Sequence, residues 1–544
     1  MNKPSIIKTT IKWNIHLIMF GVIFSLLYSV ITTAMPLISK YLIDVVLTTS
    51  EKNQVYIGIA IFLGISLLQP VFYCCKEVVF TNLSEKISFQ LRTKMYEKMI
   101  KLPIQTYDRI SYGEISTKIL SDTNEISRYI NYGANNLFTN FILLILLTVF
   151  MFLQNALISG LIFVVFAIYF LLNKVISKKY KTLTTQILQV NEETNNIIKQ
   201  NYDNIQVTKI FSNRENVNKN AEKIFSKNKK INIKGLNFGS ILTGVTFGIM
   251  ALILSIIYGL GALLIIKKQI TLGTVIAIGL YFQSLVPSLN ALLMNNINLN
   301  RVRPSINRLN DFMKEDEEIG RLENIGNAEI EFENVYFNYN DENTILNKIN
   351  FKIDSAGVYA FVGDSGSGKS TIAKIILGLY LPEKGNVNIF QQNLFEINKE
   401  VLRKNISYVS QDAELINDTI YNNIILGNDK ATYKEIENIT KYFNIFDTIN
   451  SLPNKFDTIV SEKINLSGGE KKRIAICRAS LKSASIYIFD EPEASLPIEM
   501  FEKLSNLYAK LAEKNIVIVI THHKNSLPTC KKMFYLQEGE LINE

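Results

Sequence analysis

Cysteine, histidine and tryptophan are all scarce in this sequence. Its 544 residues include 4 cysteines, 3 histidines and 1 tryptophan. The cysteines are too few and too scattered to predict a disulfide framework or a metal site: Cys74, Cys75, Cys477 and Cys530. Small disulfide-stapled domains and cysteine–histidine zinc modules are therefore excluded. The function has to be sought in other residue types.

Long apolar runs, by contrast, are abundant in the first half of the chain. Hydrophobic residues make up 48% of the sequence, which excludes one small globular domain. A membrane-spanning helix needs about 20 mostly apolar residues, and we predict six spans, at roughly 14–36, 56–75, 136–156, 158–177, 240–266 and 271–294. The intervening stretches 76–135 and 178–239 are long, polar and helical in spacing. They predict spanning helices that extend well beyond the bilayer.

The charge balance predicts the orientation of these spans. Lys and Arg number 58 against 49 Asp and Glu, a net charge of +9. Basic residues such as Lys94, Lys98 and Lys227 gather in the two long polar stretches, so the positive-inside rule places these stretches and both termini in the cytoplasm. Nucleic-acid binding is the competing explanation of a basic chain. The charges are spread along helices rather than gathered with aromatics, so we expect no nucleic-acid partner.

The second half carries a phosphate-binding loop. GDSGSGKS follows the buried strand pattern GVYAFV and precedes the helical pattern TIAKIILGLY, as this motif requires. Glycines deliver backbone N–H groups to phosphates at a helix N-terminus. The predicted contact residues are Gly363, Asp364, Ser365, Gly366, Ser367, Gly368, Lys369, Ser370 and Thr371, with Lys369 on the β/γ-phosphates and Ser370 on Mg²⁺. A glycine-rich turn without a ligand is the alternative, which the flanking strand and helix disfavour.

Two carboxylates follow a second buried strand. The apolar run 486–489 ends in Asp490 and Glu491, and the carboxyl ends of strands are where α/β sheets place chemistry. Asp490 is suited to hold Mg²⁺ through water, and Glu491 to orient or deprotonate the attacking water. Alone, this pattern is typical of an ordinary solvated strand end. Downstream of a phosphate loop, it predicts a hydrolytic site.

A third string, LSGGE, opens a helical stretch. Its residues are Leu466, Ser467, Gly468, Gly469 and Glu470. The N-terminus of a helix favours an anion through its dipole and its free N–H groups. A helix start capped by Ser467 is the alternative for this string taken alone.

Together these strings resemble the nucleotide-binding domain of ATP-binding cassette (ABC) transporters, with LSGGE in place of that family's LSGGQ signature. The resemblance implies ATP and Mg²⁺ as ligands and an α/β P-loop domain. It also implies that Gln411 contacts Mg²⁺ and reports to the membrane domain, that Tyr339 stacks on adenine, and that His522 contacts the γ-phosphate. Glu491 and His522 are thus the implied catalytic pair. The signature of one subunit is expected to close over ATP held by the other.

One departure from the family pattern stands out. The family follows its catalytic carboxylate with a Ser-Ala-Leu-Asp loop, but this chain has Pro497 where the Asp belongs. In the family this Asp reaches the phosphate loop of the partner subunit, so its absence here is expected to weaken communication between subunits. A homodimer is the default expectation, and a heterodimer with a sister half-transporter is the alternative, which this departure favours more than usual.

The membrane half also resembles ABC exporters. Residues 102–126 and 201–215 are similar to the two coupling regions that contact the ATPase domain in that family. We therefore predict a helical membrane domain over 1–310, a linker over 311–327 and a nucleotide-binding domain over 328–544. The resemblance thus implies an exporter-type half-transporter: six transmembrane helices with long cytoplasmic extensions, fused to an ABC domain.

The sequence says less about the transported solute. Few charges fall within the spans; Lys40 and Asp44 lie near the outer end of the first, and Lys76 and Glu77 near the inner end of the second. Because intramembrane charges mark ion paths, their scarcity favours an amphipathic or apolar solute such as a peptide, lipid or drug. Uncharged polar residues are path candidates, with interhelical packing as the alternative: Asn136, Asn140, Gln283, Asn290 and Asn295. A regulatory ATP-binding membrane protein is the rival function, and a soluble cassette ATPase is a third.

Overall fold

The computed structural model describes residues 10, 12–46, 52–211, 214–318, 320–339, 344–460, 466–522, 527 and 530–542. It divides into two compact units. The first comprises Met1–Met95 and Ser116–Met313, and the second comprises Tyr96–Ile115 and Lys314–Glu544. The domain limits 1–310, 311–327 and 328–544 stay predictions.

Long helices build the first unit. They are α1 (Ile15–Tyr41), α2 (Lys52–Ile100), α6 (Asn135–Gln154), α7 (Ala156–Asp203), α9 (Arg214–Ile266) and α10 (Leu272–Lys314), with the shorter α5 (Thr123–Arg128) and α8 (Ile205–Ile210). The short helices α3 (Ile104–Arg109) and α4 (Tyr112–Ser116) fall in or at the edge of the segment 96–115, which belongs to the second unit. Helix α2 has 49 residues and α9 has 53. At about 1.5 Å per residue each is more than twice as long as the bilayer core is thick, as the polar stretches predicted.

Five helical stretches within the described residues are long and apolar enough to cross a membrane: Ile15–Val45, Asn53–Ile100, Tyr112–Gln154, Arg214–Ile266 and Leu272–Leu292. The predicted span 158–177 lies within α7, whose described apolar part is Ala156–Ala167. The side chains of 168–181 lie outside the described part of the chain. The membrane half is therefore a bundle of several apolar helices.

The charges near the outer end of the first span form contacts inside the helical unit. An Asp44 carboxylate oxygen accepts a hydrogen bond of 2.8 Å from the backbone N–H of Gly273, in the first turn of α10, and the Thr271 hydroxyl donates to the same carboxylate. The Lys40 ammonium donates to the Gln154 side chain over 2.7 Å. These contacts tie the end of α1 to the start of α10 and the end of α6.

Among the residues that the structure describes, three π-helical segments interrupt or extend the regular helices: Leu42–Val46, Thr117–Asp122 and Tyr129–Ala134. Such segments widen the helix and are frequent at functional sites. Asp122 ends the second of them, is buried, and accepts two hydrogen bonds from the Arg308 guanidinium on α10, at 2.8 and 2.5 Å. This pair joins the two helices across 186 residues of sequence.

Two sheets form the second unit. One is a sheet in the order β2-β1-β4-β5, with antiparallel pairs, and the other has the order β10-β9-β3-β8-β7-β6, in which only β10 pairs antiparallel. The strands are β1 (Ile330–Asn338), β2 (Thr344–Ile353), β3 (Gly357–Val362), β4 (Lys384–Ile389), β5 (Gln392–Asn393), β6 (Ile406–Val409), β7 (Ile486–Asp490), β8 (Ile516–Thr521), β9 (Lys532–Gln537) and β10 (Glu540–Ile542).

Four helices pack against strands of the larger sheet: α11 (Lys369–Ile376), α12 (Lys399–Lys404), α16 (Gly468–Leu481) and α17 (Glu499–Ala512). The helices α13 (Ile420–Ile425) and α14 (Tyr433–Tyr442) pack on α16, and α15 (Phe446–Ser451) packs on α14. Strands β7 and β8 are buried at every position, which explains their unbroken apolar runs, because a parallel sheet covered on both faces excludes alternation. One apolar core includes Ile488 and Ile372, and another includes Phe489 and Tyr508.

Candidate active site

The strand order gathers the predicted motifs at one edge of the larger sheet. Strands β3, β8, β7 and β6 are parallel neighbours in that order. The phosphate loop follows β3, His522 follows β8, Glu491 follows β7 and Gln411 follows β6. Because carboxyl ends of parallel strands meet at one edge, residues up to 159 positions apart in sequence come together there.

The phosphate loop has the backbone that its glycines predicted. Gly366 and Gly368 have φ angles of +83° and +103°, in the left-handed region that glycine alone adopts freely. Helix α11 begins at Lys369, whose buried ammonium donates to the carbonyls of Gly363 (2.9 Å) and Asp364 (2.7 Å). Burial lowers the pKa of Lys369, and the carboxylates of Glu491 and Asp490 oppose that shift. The loop thus surrounds its lysine with backbone groups.

Asp490 is fully buried at the end of β7. The Ser370 hydroxyl donates to one carboxylate oxygen over 3.1 Å, and the Tyr408 hydroxyl donates to the other over 3.2 Å. Burial raises the pKa of Asp490, and these two hydroxyls lower it in part. The side-chain oxygens of Ser370 and Asp490, both predicted as Mg²⁺ ligands, therefore lie side by side.

The carboxylate of Glu491 is held between two other predicted site residues. One oxygen lies 2.5 Å from Nε2 of His522, and the other accepts a hydrogen bond of 2.9 Å from the Gln411 side chain. The Glu491 backbone is left-handed, with φ of 45°, and its N–H donates to the Ile520 carbonyl of β8 over 2.9 Å. Three residues from three neighbouring strand ends thus form one hydrogen-bonded cluster.

Tyr339 lies beside the helix that follows the phosphate loop. Its hydroxyl is 3.2 Å from that of Thr371, and its ring meets the Tyr380 ring edge-on at 5.0 Å. Tyr339 is 41% exposed, and the Lys374 ammonium lies over its ring, 5.5 Å from the ring centre. This position is compatible with the adenine contact that the resemblance implies.

The signature string caps α16 in the way its composition suggests. Ser467 accepts a hydrogen bond from the backbone N–H of Glu470, and the Glu470 carboxylate accepts one from the backbone N–H of Ser467 over 2.7 Å. This reciprocal capping box satisfies two N–H groups that a helix start otherwise leaves open. Glutamate performs this role as well as the glutamine of the family pattern. Leu466 is buried in the core beneath.

The loop that carries Pro497 packs against the signature. A Cβ atom on Gly469 would lie 2.6 Å from the backbone carbonyl oxygen of Ser495, so only glycine fits there. Ser495 has φ of 68°. The carbonyl of Pro497 accepts a hydrogen bond from the backbone N–H of Met500, in the first turn of α17. Pro497 thus lies just before the helix, whose N-cap is Ile498.

Sequence reasoning missed Lys472. This lysine is buried on α16, and its ammonium donates to the backbone carbonyls of Ser410 (3.0 Å), Gln411 (3.0 Å) and Asp490 (3.3 Å). Burial lowers the pKa of Lys472, and nearby carboxylates, Asp490 first, oppose the shift. One side chain therefore supports the segments that carry Gln411 and Glu491. Lys472 lies between two other basic residues in the string KKR, and nothing in that string indicates a buried supporting role.

Residues 102–115 of the first predicted coupling region belong to the second unit. The Asp108 carboxylate of α3 accepts a hydrogen bond of 2.7 Å from the hydroxyl of Tyr380. Burial, the Asp108 bond and the Asp108 charge raise the pKa of Tyr380. Because Tyr380 also contacts the Tyr339 ring, a chain of three side chains leads from the coupling region to the predicted adenine residue. The second region contains α8, and its residues 212–213 lie outside the described part.

Comparisons with known proteins agree with both halves of the chain. Residues 18–289, half of the sequence, match the family described as ABC transporter transmembrane region. Residues 346–494 match the family described as ABC transporter. A solved structure of a bacterial Atm1-family ABC exporter with ATP bound has a TM-score of 0.81 over 97% of this chain and 95% of its own, at 22% identity. That likeness concerns the fold.

Curated relatives extend over nearly the whole length. A Staphylococcus aureus (strain NCTC 8325) protein with the provisional name multidrug export ATP-binding/permease protein is 28% identical over 93% of this chain and 90% of its own. A Rickettsia typhi protein provisionally named an export ATP-binding/permease protein is 27% identical over 90% and 88%. The chain therefore belongs to the ABC transporter family, as a membrane-embedded exporter whose fused nucleotide-binding domain hydrolyses ATP to drive transport.

Proposed function

We propose that this chain exports an amphipathic or apolar solute, such as a peptide, lipid or drug-like molecule, across the cytoplasmic membrane by alternating access. ATP is sandwiched between two subunits, and its hydrolysis resets the membrane domain. The observation that carries the proposal is the cluster at Glu491, whose carboxylate is bonded to Gln411 and His522 at the same sheet edge as the phosphate loop.

The chemistry of the cluster assigns each residue a role. The Glu491 carboxylate is the acceptor suited to orient and deprotonate an attacking water. His522 is within hydrogen-bonding distance of Glu491 and is suited to contact the γ-phosphate. Lys369 and the N–H groups of the phosphate loop stabilise the negative charge that develops on the phosphates. Tyr339 offers a ring face to adenine.

The oxygen atoms near the loop fit a Mg²⁺ ion. Mg²⁺ prefers oxygen ligands and keeps several from water and phosphate. Ser370 and Asp490 supply two such oxygens 3.1 Å apart, with Gln411 as a third candidate. No group of three or more His, Cys, Asp or Glu side chains that could hold a metal occurs among the described residues. When bound, Mg²⁺ neutralises phosphate charge.

The proposed assembly is a dimer. The signature helix begins with exposed Ser467 and Gly468, and a helix N-terminus of this kind favours a phosphate. A second chain is the source of that phosphate in the ATP sandwich. A homodimer is the simpler assembly, and a sister half-transporter is the alternative because Pro497 replaces the family's carboxylate.

Orientation and solute follow from the membrane half. The basic stretches and both termini are placed in the cytoplasm by the positive-inside rule. The name of the S. aureus relative, a multidrug export protein, supports a drug-like or other amphipathic solute. A peptide remains within the same proposal.

The test compares the wild-type chain with Glu491→Gln in proteoliposomes. Removing the acceptor should lower ATP turnover by about 100-fold or more, as loss of a general base does, while ATP still protects the protein from thermal unfolding. Glu499→Gln, at an exposed carboxylate on α17, is the matched control and should keep its turnover.

The rival function, an ATP-binding sensor with weak or no transport, gives a different result. Wild-type protein that binds ATP without turnover, or a Glu491→Gln variant as active as wild type, would contradict the exporter mechanism. Turnover without ATP-dependent efflux of any amphipathic probe would favour the sensor.

A further inference from the structure

A buried carboxylate, that of Glu493, lies close to the hydrolytic cluster without being one of its members. Glu493 follows Glu491 by two residues, in the turn after β7, and is 7% exposed. One of its carboxylate oxygens accepts a hydrogen bond from the hydroxyl of Thr521, which is fully buried at the end of β8. A charged side chain is costly to bury unless it is hydrogen-bonded and paired. The partners of Glu493 therefore indicate what it does.

The hydrogen bond from Thr521 joins the turn after β7 to the end of β8. The N–H of Glu491 donates to the carbonyl of Ile520 over 2.9 Å, which continues the parallel pairing of these two strands. One residue further along β8, the hydroxyl of Thr521 reaches Glu493. Because Thr521 directly precedes His522, this bond acts on the backbone that carries the imidazole. The two segments are thus tied together by backbone and by side chain beside the contact between Glu491 and His522.

A buried cation lies near Glu493. Lys472 of α16 is 2% exposed, and its ammonium donates to backbone carbonyls at the ends of β6 and β7. Burial lowers the pKa of this lysine, and the charges of Asp490 first and of Glu493 next oppose the shift. Lys472 supports the ends of β6 and β7, and Glu493 supports the end of β8. Each strand that carries a member of the hydrolytic cluster therefore has a buried support.

We propose that Glu493 is a positioning residue for ATP hydrolysis, which holds His522 against Glu491 through the hydroxyl of Thr521. This inference rests on the hydrolytic roles proposed for Glu491 and His522. Nε2 of His522 and the carboxylate oxygen of Glu491 are 2.5 Å apart, and a displacement of about 1 Å would break a hydrogen bond of that length. Misplacement of catalytic groups on this scale can lower a rate by about 100-fold. The bond from Thr521 to Glu493 limits such a displacement.

Removal of this bond from either side should slow turnover without weakening nucleotide binding. Thr521→Val keeps the shape of the side chain but removes its hydroxyl, and Glu493→Leu removes the acceptor. We expect kcat for ATP to fall about tenfold in each variant, with KM changed less than about threefold, because the position of His522 is loosened while the phosphate loop is untouched. Thr521→Ser retains a hydroxyl and should keep most of the rate. Glu493→Gln retains an acceptor oxygen and should give an intermediate loss.

A double-mutant comparison separates positioning from a general contribution to stability. If Glu493 acts through His522, Thr521→Val should lower kcat by less than about twofold in a His522→Ala background, where no imidazole is left to position. If the bond only stabilises the fold, the loss should be about tenfold in both backgrounds. Hydrolysis of radiolabelled ATP follows the residual turnover of His522→Ala, so that a further loss can be measured.

Tyr508 offers a matched control. This residue is buried on α17, and burial, followed by the charge of Glu493, raises its pKa. Its hydroxyl thus faces the charge of Glu493 as that of Thr521 does, but has no hydrogen-bond partner among the described residues. Tyr508→Phe removes a buried hydroxyl without breaking a hydrogen bond. This variant should keep the wild-type kcat, with a melting temperature equal to or above that of wild type.

The measurement is steady-state ATP hydrolysis by the full-length chain in nanodiscs. An ATP-induced rise in melting temperature establishes that each variant is folded. If Glu493→Leu fails to fold, Thr521→Val carries the comparison. The expected result is a loss of about tenfold in the kcat of Thr521→Val, which is largely absent in Thr521→Ser, in Tyr508→Phe and in the His522→Ala background.

Three results would overturn the positioning role: a wild-type kcat in Thr521→Val, the same relative loss in the His522→Ala background, or an equal loss in Tyr508→Phe. The proposed hydrolytic roles fail on different results. Wild-type turnover in His522→Ala or Glu491→Gln would contradict those roles and the inference with them. An impaired His522→Ala beside a fully active Thr521→Val would remove the positioning role alone.

Discussion

The backbone of Glu491 shows how closely single residues are specified at the hydrolytic site. Its φ of 45° lies in a region that few residues other than glycine adopt, at a cost of about 1–3 kcal/mol. A hydrogen bond to Ile520 and contacts to Gln411 and His522 hold it there. Strain that persists under such support points to a residue selected for chemistry rather than stability.

Lys472 should control turnover more than nucleotide binding. Lys472→Met removes the three hydrogen bonds that support the backbones of Ser410, Gln411 and Asp490. We expect kcat for ATP to fall about tenfold or more, since misplaced catalytic groups are this costly, with KM changed less than about threefold.

The measurement is steady-state ATP hydrolysis by the full chain in lipid. Lys471→Met, at the half-buried neighbouring position, is the control, and Lys472→Arg should recover part of the rate. Equal losses at 471 and 472, or a change in KM alone, would refute a positioning role.

Lys399 should make stability increase with pH. This lysine is buried on α12, and burial lowers its pKa from 10.5 to about 8. Between these values the unfolded chain holds a proton that the folded chain has released, so raising the pH favours the folded state. Relative to Lys399→Met, wild type should gain roughly 5 °C in melting temperature between pH 7.5 and 10.

The comparison uses thermal unfolding of the full chain at both pH values. Lys404→Met, at an exposed lysine on the same helix, should follow the wild-type profile. Parallel profiles for wild type and Lys399→Met would refute the proposed titration.

At the scale of elements, α3 and the nucleotide site are joined by one hydrogen bond. Tyr380→Phe keeps the ring contacts with Tyr339 but removes the bond from Tyr380 to Asp108. We expect basal ATP turnover within about twofold of wild type and a fall of about fivefold in stimulation by a transported solute, because a coupling of about 1 kcal/mol is lost.

The measurement is ATPase activity with and without solute. Asp108→Asn retains an acceptor and should give an intermediate result. Full stimulation in Tyr380→Phe, or loss of basal activity, would argue against a coupling role for this bond.

The sequence predicted some of the secondary-structure elements and their contacts but not others. Apolar runs and polar extensions predicted the long helices, and the strand-turn-helix pattern predicted the phosphate loop, because both signals are local. No pattern in the sequence indicated the π-helical segments. Tyr380 and Asp108 are 272 residues apart, and the hydrogen bonds of the Lys472 ammonium go to backbone carbonyls. Contacts of these kinds arise from tertiary packing, so the hydrophobic periodicity of the sequence does not predict them.

For the whole molecule, the position of Pro497 offers a test of communication between subunits. Pro497→Asp restores the carboxylate of the family pattern at a helix start, where the dipole favours negative charge. We expect the Hill coefficient of ATP hydrolysis to rise from about 1 toward 2, the value for two coupled sites. Pro497→Ala separates loss of the proline from gain of the charge and should leave cooperativity unchanged.

This expectation is checked with ATP titrations of hydrolysis in lipid. An unchanged Hill coefficient in Pro497→Asp would mean that the missing carboxylate does not limit coupling. Equal increases in both variants would assign the effect to backbone freedom.

The contact between Gly469 and the carbonyl of Ser495 bears on the timing of an ATP cycle. A Cβ atom on Gly469 would lie 2.6 Å from that oxygen, so the backbones of the signature and of the loop after β7 pack closely, and we expect a displacement of one to be felt by the other. In a dimer, a change in that loop after hydrolysis in one site would shift the signature that faces the partner's nucleotide. Hydrolysis would then alternate between the two ATP sites of the dimer, because each site would displace the signature at the other through a backbone contact rather than through a side-chain charge.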